Sequence, residues 1–186
     1  QGPPARWWLD TLAAGWVALG IAIGTIAGVF TERATALYLP PGVELTATAE
    51  TVLEAVLIST PAPAGGTAAL IGPNDVKVNA RGRANYSREV HDIFVTDPHV
   101  KRLMVGETFN PPGNWSSYPP HKHDRLAEPH ESHLEEVYYH RLNPPQGFAF
   151  QRVYTDDRSL DETVCVEDGD VVLVPKGYHP VGAPHG

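Results

Sequence analysis

The chain has a single cysteine, no run of basic residues and no phosphate-binding glycine loop. One cysteine in 186 residues, Cys165, excludes an intrachain disulfide framework and fits a reducing compartment such as the cytoplasm. The net charge of −8 at pH 7 argues against a nucleic-acid partner. A dinucleotide fingerprint is also missing, so the sequence carries no signature of nucleotide binding.

Charge is missing altogether from residues 11–31, a run that includes AAGWVALGIAIGTIAGVF. By length alone this run resembles a membrane span or the apolar core of a signal peptide. Its glycines, at positions 15, 20, 24 and 28, divide it into pieces of strand length, and only Arg6 precedes it as a cation. We therefore expect strands here and no insertion into a membrane.

The composition of the chain favours strands and turns over helices. Eighteen prolines and 17 glycines separate short apolar runs, and hydrophobic residues make up 42% of the chain, enough for a core. A Pro-Pro-Gly turn at residues 40–42 precedes an alternation from Val43 to Ala49 that predicts a half-buried strand. Residues 61–69 have the composition of a linker. We predict an N-terminal domain of residues 1–69 and a C-terminal domain of residues 70–186.

Two histidines separated by one residue are the central feature of the C-terminal half. Side chains at i and i+2 of an extended strand point to the same side, so His121 and His123 can direct both imidazoles at one point. A carboxylate from the Glu135-Glu136 pair and a third imidazole from His179 follow on later segments. Three nitrogens and one oxygen would complete a metal site. The alternative is a pair of surface histidines beside a proline turn.

The order of these pieces resembles a cupin. An HxH pair followed by a Glu at the start of an apolar strand resembles the first cupin motif, and GDVVLVPKGYH, ending at His179, resembles the second. Two features depart from the family pattern. The spacer from His123 to Glu136 is longer than usual, and His179 follows Gly177 by two positions rather than three. We expect the spacer to form a loop at residues 125–134, since inserted loops cost little stability.

Within the cupins, residues 113–186 resemble the 5-deoxy-glucuronate isomerase family of bacterial inositol catabolism. The phrases that carry this resemblance are GNWSSYPPHKHD, LEEVYYHRLNPPQGFAFQRVYTDDRSLDETV and VEDGDVVLVPKGYHPVGAPHG. The resemblance implies an all-β fold of tandem cupin barrels, also called double-stranded β-helices or jelly rolls. The N-terminal barrel would be incomplete and metal-free, because no HxH pair precedes residues 40–42 and Leu45 stands where a ligand histidine would be.

The same resemblance changes the interpretation of residues 11–31. In the family the corresponding apolar pieces are separate strands joined by polar loops, and here the pieces stand end to end. We therefore expect several short strands, with interruptions of the chain between Gly15 and Val29 where those loops are missing.

The activity implied by the resemblance is aldose–ketose isomerisation of 5-deoxy-D-glucuronate to 2-deoxy-5-keto-D-gluconate through an enediol. One divalent ion would polarise the carbonyl and stabilise the developing charge. Zinc is expected, with manganese, iron, nickel or cobalt as alternatives. The expected partners are a sugar acid substrate and further copies of the chain in a homo-oligomer, with no membrane. The implied metal ligands are His121, His123, Glu136 and His179.

Candidates for proton transfer come from the segments around these ligands. Strand alternation puts Glu136, Tyr138 and His140 on one face, where Tyr138 and His140 either contact substrate or pack in the core. Lys176 and His185 are further candidates for the base. The predicted catalytic residues are His140, Tyr138 and Lys176.

An arginine is the candidate for binding the substrate carboxylate. Arg152 shares a strand face with Tyr154, and we expect this face to point inward. A buried arginine needs an anion, and its planar fork suits a carboxylate. The alternative for Arg152 is a salt bridge to Asp156, Asp157 or Glu162. The predicted substrate-binding residues are Arg152, Tyr154 and His185.

Other interpretations of the C-terminal half remain open. His130 and His133 lie in the polar spacer loop, and we do not expect them to bind metal. Three other functions fit parts of the pattern. They are the related 4-deoxy-5-keto-uronate isomerase of pectin breakdown, a cupin dioxygenase, and a metal-free sugar-binding or scaffold cupin.

Overall fold

The structure is a computed structural model, and it describes residues 17–25, 35–46, 53–95, 100 and 102–185. In these ranges the chain forms β-strands and a single 3-10 turn at Ala84–Tyr86. None of the described residues belongs to a helix with the length and apolar character needed to cross a bilayer. The predicted all-β class is confirmed.

The strands are mostly short, as the proline and glycine content predicts. In chain order they are β1 (Val17–Thr25), β2 (Thr35–Leu39), β3 (Leu53–Pro61), β4 (Ala69–Ile71), β5 (Lys77–Arg81), β6 (Arg88–Phe94), β7 (Val105–Phe109), β8 (Trp115–Ser116), β9 (Glu136–Tyr139), β10 (Ala149–Tyr154), β11 (Asp161–Val166), β12 (Val171–Val174) and β13 (Val181–Gly182).

The chain divides into two compact units. The first contains residues 1–79 and 91–107, and the second contains residues 80–90 and 108–186. These bounds differ from the division at residue 69 that the linker composition suggested, and that division stays a prediction.

The first unit is built on an antiparallel sheet in the order β3-β1-β2-β4. β1 pairs with β3 along its whole length, from Val17 opposite Pro61 to Thr25 opposite Leu53. The buried core of this unit includes Tyr38, whose ring meets Phe94 edge-on at 6.2 Å between centroids. Alternating apolar residues on strands of this kind bury one face of the sheet.

Two expectations for the N-terminal half are wrong in the described residues. Val17–Thr25 is one continuous strand without the expected interruptions, because its nine residues pair in an unbroken register with β3. Residues 15, 16 and 26–29 lie outside the described part of the chain. The half-buried strand predicted from Val43 is also wrong as far as residue 46, since residues 43–46 follow the Pro-Pro-Gly turn as exposed, irregular chain. Residues 47–49 lie outside the described part.

The second unit contains the sheet β11-β10-β13-β8 and the two-stranded sheet β12-β9. Its buried core consists of Ala149, Val166 and Val181, with Tyr138 and Val172 packed against them. β10 alternates between buried and exposed residues, and its buried face carries Gln151. β9 also alternates, so Glu136 and Tyr138 are turned to the opposite side from the exposed Val137.

Candidate metal centre

Three imidazoles converge in the second unit. The ring centroids of His121 and His123 lie 5.2 Å apart, and that of His179 lies 4.8 Å from the first and 5.7 Å from the second. One ring nitrogen from each residue lies within 4.8 Å of the others. Lys122, between the two histidines, pairs instead with Asp156. The extended segment after the prolines thus directs alternate side chains to opposite sides, as predicted.

Glu136 joins the three histidines from the start of β9. Its Oε2 atom lies 2.8 Å from Nε2 of His179 and 3.9 Å from Nε2 of His123. The neighbouring Glu135 is exposed. Alternation along the strand therefore selects the second glutamate of the pair for the cluster.

The contact between Glu136 and His179 requires a cation. Nδ1 of His179 faces the carbonyl oxygen of Gly177 at 2.9 Å and must donate to it, since a carbonyl only accepts. In the neutral imidazole, Nε2 then carries a lone pair and faces a carboxylate oxygen. Both atoms are buried without a hydrogen-bond partner. A proton or a metal ion between them resolves this, and three imidazoles with one carboxylate suit a divalent transition metal. The residues present therefore fit the implied ion.

The pKa shifts of these groups agree with a site for a cation. Desolvation, and then the neighbouring His179 and His123, lower the pKa of His121, which favours the neutral form that binds metal. Burial alone would raise the pKa of Glu136, but its contact with His179 outweighs this and holds the pKa below the usual value. Burial alone would lower the pKa of His179, but Glu136 and the Gly177 carbonyl raise it.

Gly177 connects the cluster to the HxH segment. Its N–H donates to Oδ1 of Asp124 at 2.6 Å, and its carbonyl accepts from His179. The backbone has φ +93°, and a Cβ atom would lie 2.5 Å from the carbonyl oxygen of Tyr154. Only glycine fits this position without displacing the backbone. Asp124 thus acts on the peptide that orients His179.

Tyr138 and His140 continue the face that begins at Glu136. Their rings stack at 5.9 Å, and the ring of Tyr138 lies 5.9 Å from that of His179. The Tyr138 hydroxyl is 2.9 Å from the hydroxyl of Ser117. Burial, together with the charge of Glu136, raises the pKa of Tyr138 far above its usual value, so the phenol keeps its proton at neutral pH.

Comparisons with known proteins add a family to this geometry. Residues 18–186 match the KduI/IolB family. The chain belongs to this family. A curated 5-deoxy-glucuronate isomerase of Geobacillus thermodenitrificans is 60% identical over 127 residues, which cover 67% of this chain and 46% of that protein. The same-named protein of Halalkalibacterium halodurans is 50% identical over 166 residues, covering 88% and 62%.

A solved structure agrees with the family assignment. The crystal structure of an IolB-like protein from Salmonella typhimurium LT2 superposes with a TM-score of 0.81 at 41% sequence identity, covering 92% of this chain and 71% of that one. The all-β arrangement and this neighbour are consistent with a cupin fold. The KduI/IolB chain spans about half to three-fifths of the length of the curated relatives given above.

The long spacer of this KduI/IolB chain forms a closed loop beside the cluster. Glu131 accepts hydrogen bonds from the backbone N–H groups of Asp124 and Arg125 and from the Arg125 side chain. The loop thus begins and ends next to the HxH segment. His130 and His133, which it contains, are exposed. Among the described residues, neither of them lies with the three histidines whose nitrogens are close enough to bind one metal ion.

The predicted orientation of Arg152 is wrong. Ala149, Gln151 and Val153 form the buried face of β10, so Arg152 is exposed on the other. Its guanidinium donates to both carboxylate oxygens of Asp161 at 2.8 and 2.9 Å. An ion pair was the expected alternative, although with different acids. A substrate contact by Arg152 stays a prediction.

The structure shows what surrounds the remaining predicted residues, which are Tyr154, Lys176 and His185. Their roles stay predictions. Tyr154 stacks on Tyr178 at 5.0 Å between centroids, and Arg152 lies over its ring. Lys176 is exposed, and its positive charge contributes to lowering the pKa of Asp157. His185 is exposed and lies next to Gly113.

Two polar residues near the cluster were missed in the sequence. Arg88, at the start of β6, donates from Nη1 to the carbonyls of Tyr118 and Tyr86 at 3.3 and 3.2 Å, and its charge acts on Tyr138. Gln151 is completely buried and contacts His140. No motif marks Arg88, which lies on a strand remote in sequence from the histidines. The alternation of β10 would have indicated a buried Gln151 if the face opposite Arg152 had been predicted to be the buried one.

Proposed function

We propose that this chain catalyses the isomerisation of 5-deoxy-D-glucuronate to 2-deoxy-5-keto-D-gluconate, a step of inositol catabolism in the cytoplasm. The observation that carries the proposal is the cluster of His121, His123, Glu136 and His179. It occurs in a chain that is 50% to 60% identical to two proteins named 5-deoxy-glucuronate isomerase. The cluster supplies a site for an ion, and the relatives supply the substrate.

The four clustered residues are the proposed ligands of one divalent ion, with zinc first among the alternatives. Such an ion, when bound, supplies a Lewis acid for neighbouring sugar oxygens. The protein's contribution is orientation. Gly177 fixes which nitrogen of His179 faces the site, and β9 directs Glu136 and Tyr138 to one side.

Tyr138 and His140 are the proposed groups for moving protons. Because Tyr138 stays protonated at neutral pH, it can donate a hydrogen bond to a substrate oxygen but cannot act as the resting base. His140 lies next to it on the same face and has an imidazole that can accept a proton. The aldose–ketose reaction needs both functions, since it moves one proton between carbons and another between oxygens.

Arg88 is our candidate for binding the substrate carboxylate. Burial, and then the neighbouring Arg81, lower its pKa. Within the described residues it donates to the backbone carbonyls of Tyr86 and Tyr118, and Tyr118 is close in sequence to His121. Its guanidinium is therefore held near Tyr138, and none of the residues that the structure describes gives it a carboxylate partner. A uronate would supply that carboxylate, and Arg binds carboxylates through two parallel hydrogen bonds.

Replacing Arg88 by Lys should raise KM for 5-deoxy-D-glucuronate about tenfold, while kcat changes less. The charge is kept but the two-pronged contact is lost in the ground state and the transition state alike. Arg152→Lys is the matched control, because Arg152 is exposed and its guanidinium is already paired with Asp161. Steady-state kinetics on both variants distinguish the two arginines. A tenfold rise confined to Arg152→Lys would restore Arg152 as the carboxylate ligand and remove Arg88.

The proposed function is tested by elemental analysis combined with turnover of two sugar acids. The purified protein is expected to contain about one divalent ion per chain. It should convert 5-deoxy-D-glucuronate faster than 4-deoxy-5-keto-uronate when both are assayed side by side. Faster turnover of the second substrate would assign the pectin-breakdown reaction instead. No bound metal and no turnover of either would favour the metal-free sugar-binding or scaffold cupin. Light scattering on the same sample tests the proposed homo-oligomer.

A further inference from the structure

Gln151 is a polar side chain in the apolar interior of the second unit. It lies on β10 opposite Val164 of β11 and Val181 of β13, and its residue surface is completely buried. A buried amide that loses its hydrogen bonds is strongly unfavourable, so its partners matter. Those partners are the imidazole of His140 and the backbone carbonyl of His179.

The contact with His179 determines the orientation of the amide. The side-chain nitrogen of Gln151 lies 3.5 Å from the His179 carbonyl oxygen, which can only accept. With the amide turned over, two oxygens would face each other there. The amide NH2 group therefore points to His179, and Oε1 points to His140.

The orientation of the amide then determines the tautomer of His140. Nε2 of His140 lies 3.0 Å from Oε1 of Gln151, which has no proton to donate. Nε2 must therefore carry the proton, and in the neutral imidazole Nδ1 carries the lone pair. The backbone of His140 is also fixed, because its N–H donates to Asp170 and its carbonyl accepts from Gly169, both at 2.8 Å.

We propose that Gln151 is a positioning residue that holds His140 as the Nε2–H tautomer and so keeps Nδ1 available as the proton acceptor. The inference rests on the proposed isomerase function for its catalytic consequence, but the tautomer itself does not depend on that function. Through its second hydrogen bond, Gln151 also connects the proposed base to the backbone of a proposed metal ligand, His179.

The direct test is the tautomer of His140 in the wild-type zinc-loaded protein. Nitrogen and carbon NMR of labelled histidine, assigned by comparison with His140→Asn, should show a proton on Nε2 and none on Nδ1 in the neutral ring. A proton on Nδ1 would overturn the proposal. This measurement needs no Gln151 variant, so it stands even if such variants fold poorly.

Substitutions of Gln151 test the consequence for turnover. Gln151→Met has a similar length but neither hydrogen bond, so His140 should become a mixture of tautomers. kcat should fall at least about thirtyfold, while KM and zinc content stay within about twofold, because neither the proposed carboxylate site nor a ligand is removed. Gln151→Glu keeps an acceptor facing His140 and should retain the Nε2–H tautomer. Phe150→Leu, on the exposed face of β10, is the matched control and should behave as wild type.

The outcomes separate the inference from the proposed function. If wild-type protein converts 5-deoxy-D-glucuronate and Gln151→Met keeps its kcat within twofold, the positioning role is wrong and the isomerase function stands. If wild-type protein does not convert the sugar, the function is wrong, and the NMR tautomer alone decides whether Gln151 orients His140.

Discussion

His123→Ala is expected to abolish isomerisation and to reduce the metal content well below the expected value of about one ion per chain. The ring of His123 lies 5.2 Å from that of His121, and its Nε2 lies 3.9 Å from Glu136, so its removal takes one of four proposed ligands. Because the ligands come from three separate segments, the variant should also lose thermal stability. Elemental analysis, turnover and thermal melting measure the three effects.

The spacer loop supplies matched controls for this experiment. His130→Ala and His133→Ala remove imidazoles that are exposed on the same loop, and both variants should keep wild-type metal content and turnover. A His123→Ala protein with full metal and full activity would show that the ligand assignment, and the mechanism with it, is wrong.

Gly177→Ala is expected to produce the second large effect, a loss of about 3 kcal/mol in the free energy of unfolding together with reduced metal content. The added Cβ would meet the Tyr154 carbonyl oxygen at 2.5 Å in a backbone with φ +93°. Relief of that contact has to move the peptide that holds Asp124 and His179. In a chain of this size the loss should lower Tm by roughly 6–12 °C.

Gly169→Ala separates backbone strain from the contact. Gly169 has φ +90°, nearly the same as Gly177, but a Cβ there would meet nothing within 4 Å. This control should lose only about 1 kcal/mol and keep its metal. Equal losses in the two variants would mean that strain alone explains Gly177, and that its contacts do not organise the cluster.

The part of the candidate metal centre that alternation determines could be predicted from the sequence because its geometry is local, whereas His179 was predicted from its resemblance to the second cupin motif. Alternation along extended chain directs His121 and His123 together and separates Glu136 from Glu135, whatever the rest of the fold does. The structure brings all of these predicted ligands together with His179. Their binding of a metal remains the proposal that the His123 variant tests.

The surroundings of the centre could not be predicted in the same way, because alternation does not say which face of a strand is buried. On β10 the large residues Phe150 and Arg152 stand on the exposed face, and the buried face includes Gln151. The continuity of the strand at residues 17–25 could not be predicted from the sequence either. Glycine spacing suggested several pieces, but pairing with β3 along the whole length holds them in one strand.

The separation of the clustered residues along the chain has a consequence for folding. In the unfolded chain only His121 and His123 are neighbours, so a metal ion would find a two-nitrogen chelate there before the other ligands arrive. Glu136 and His179 join only after long loops close, which is the slow part of forming a β protein. Metal present during refolding should therefore stabilise the folded state mainly once Glu136 and His179 have joined the two histidines. The stabilisation should grow with the logarithm of the free metal concentration.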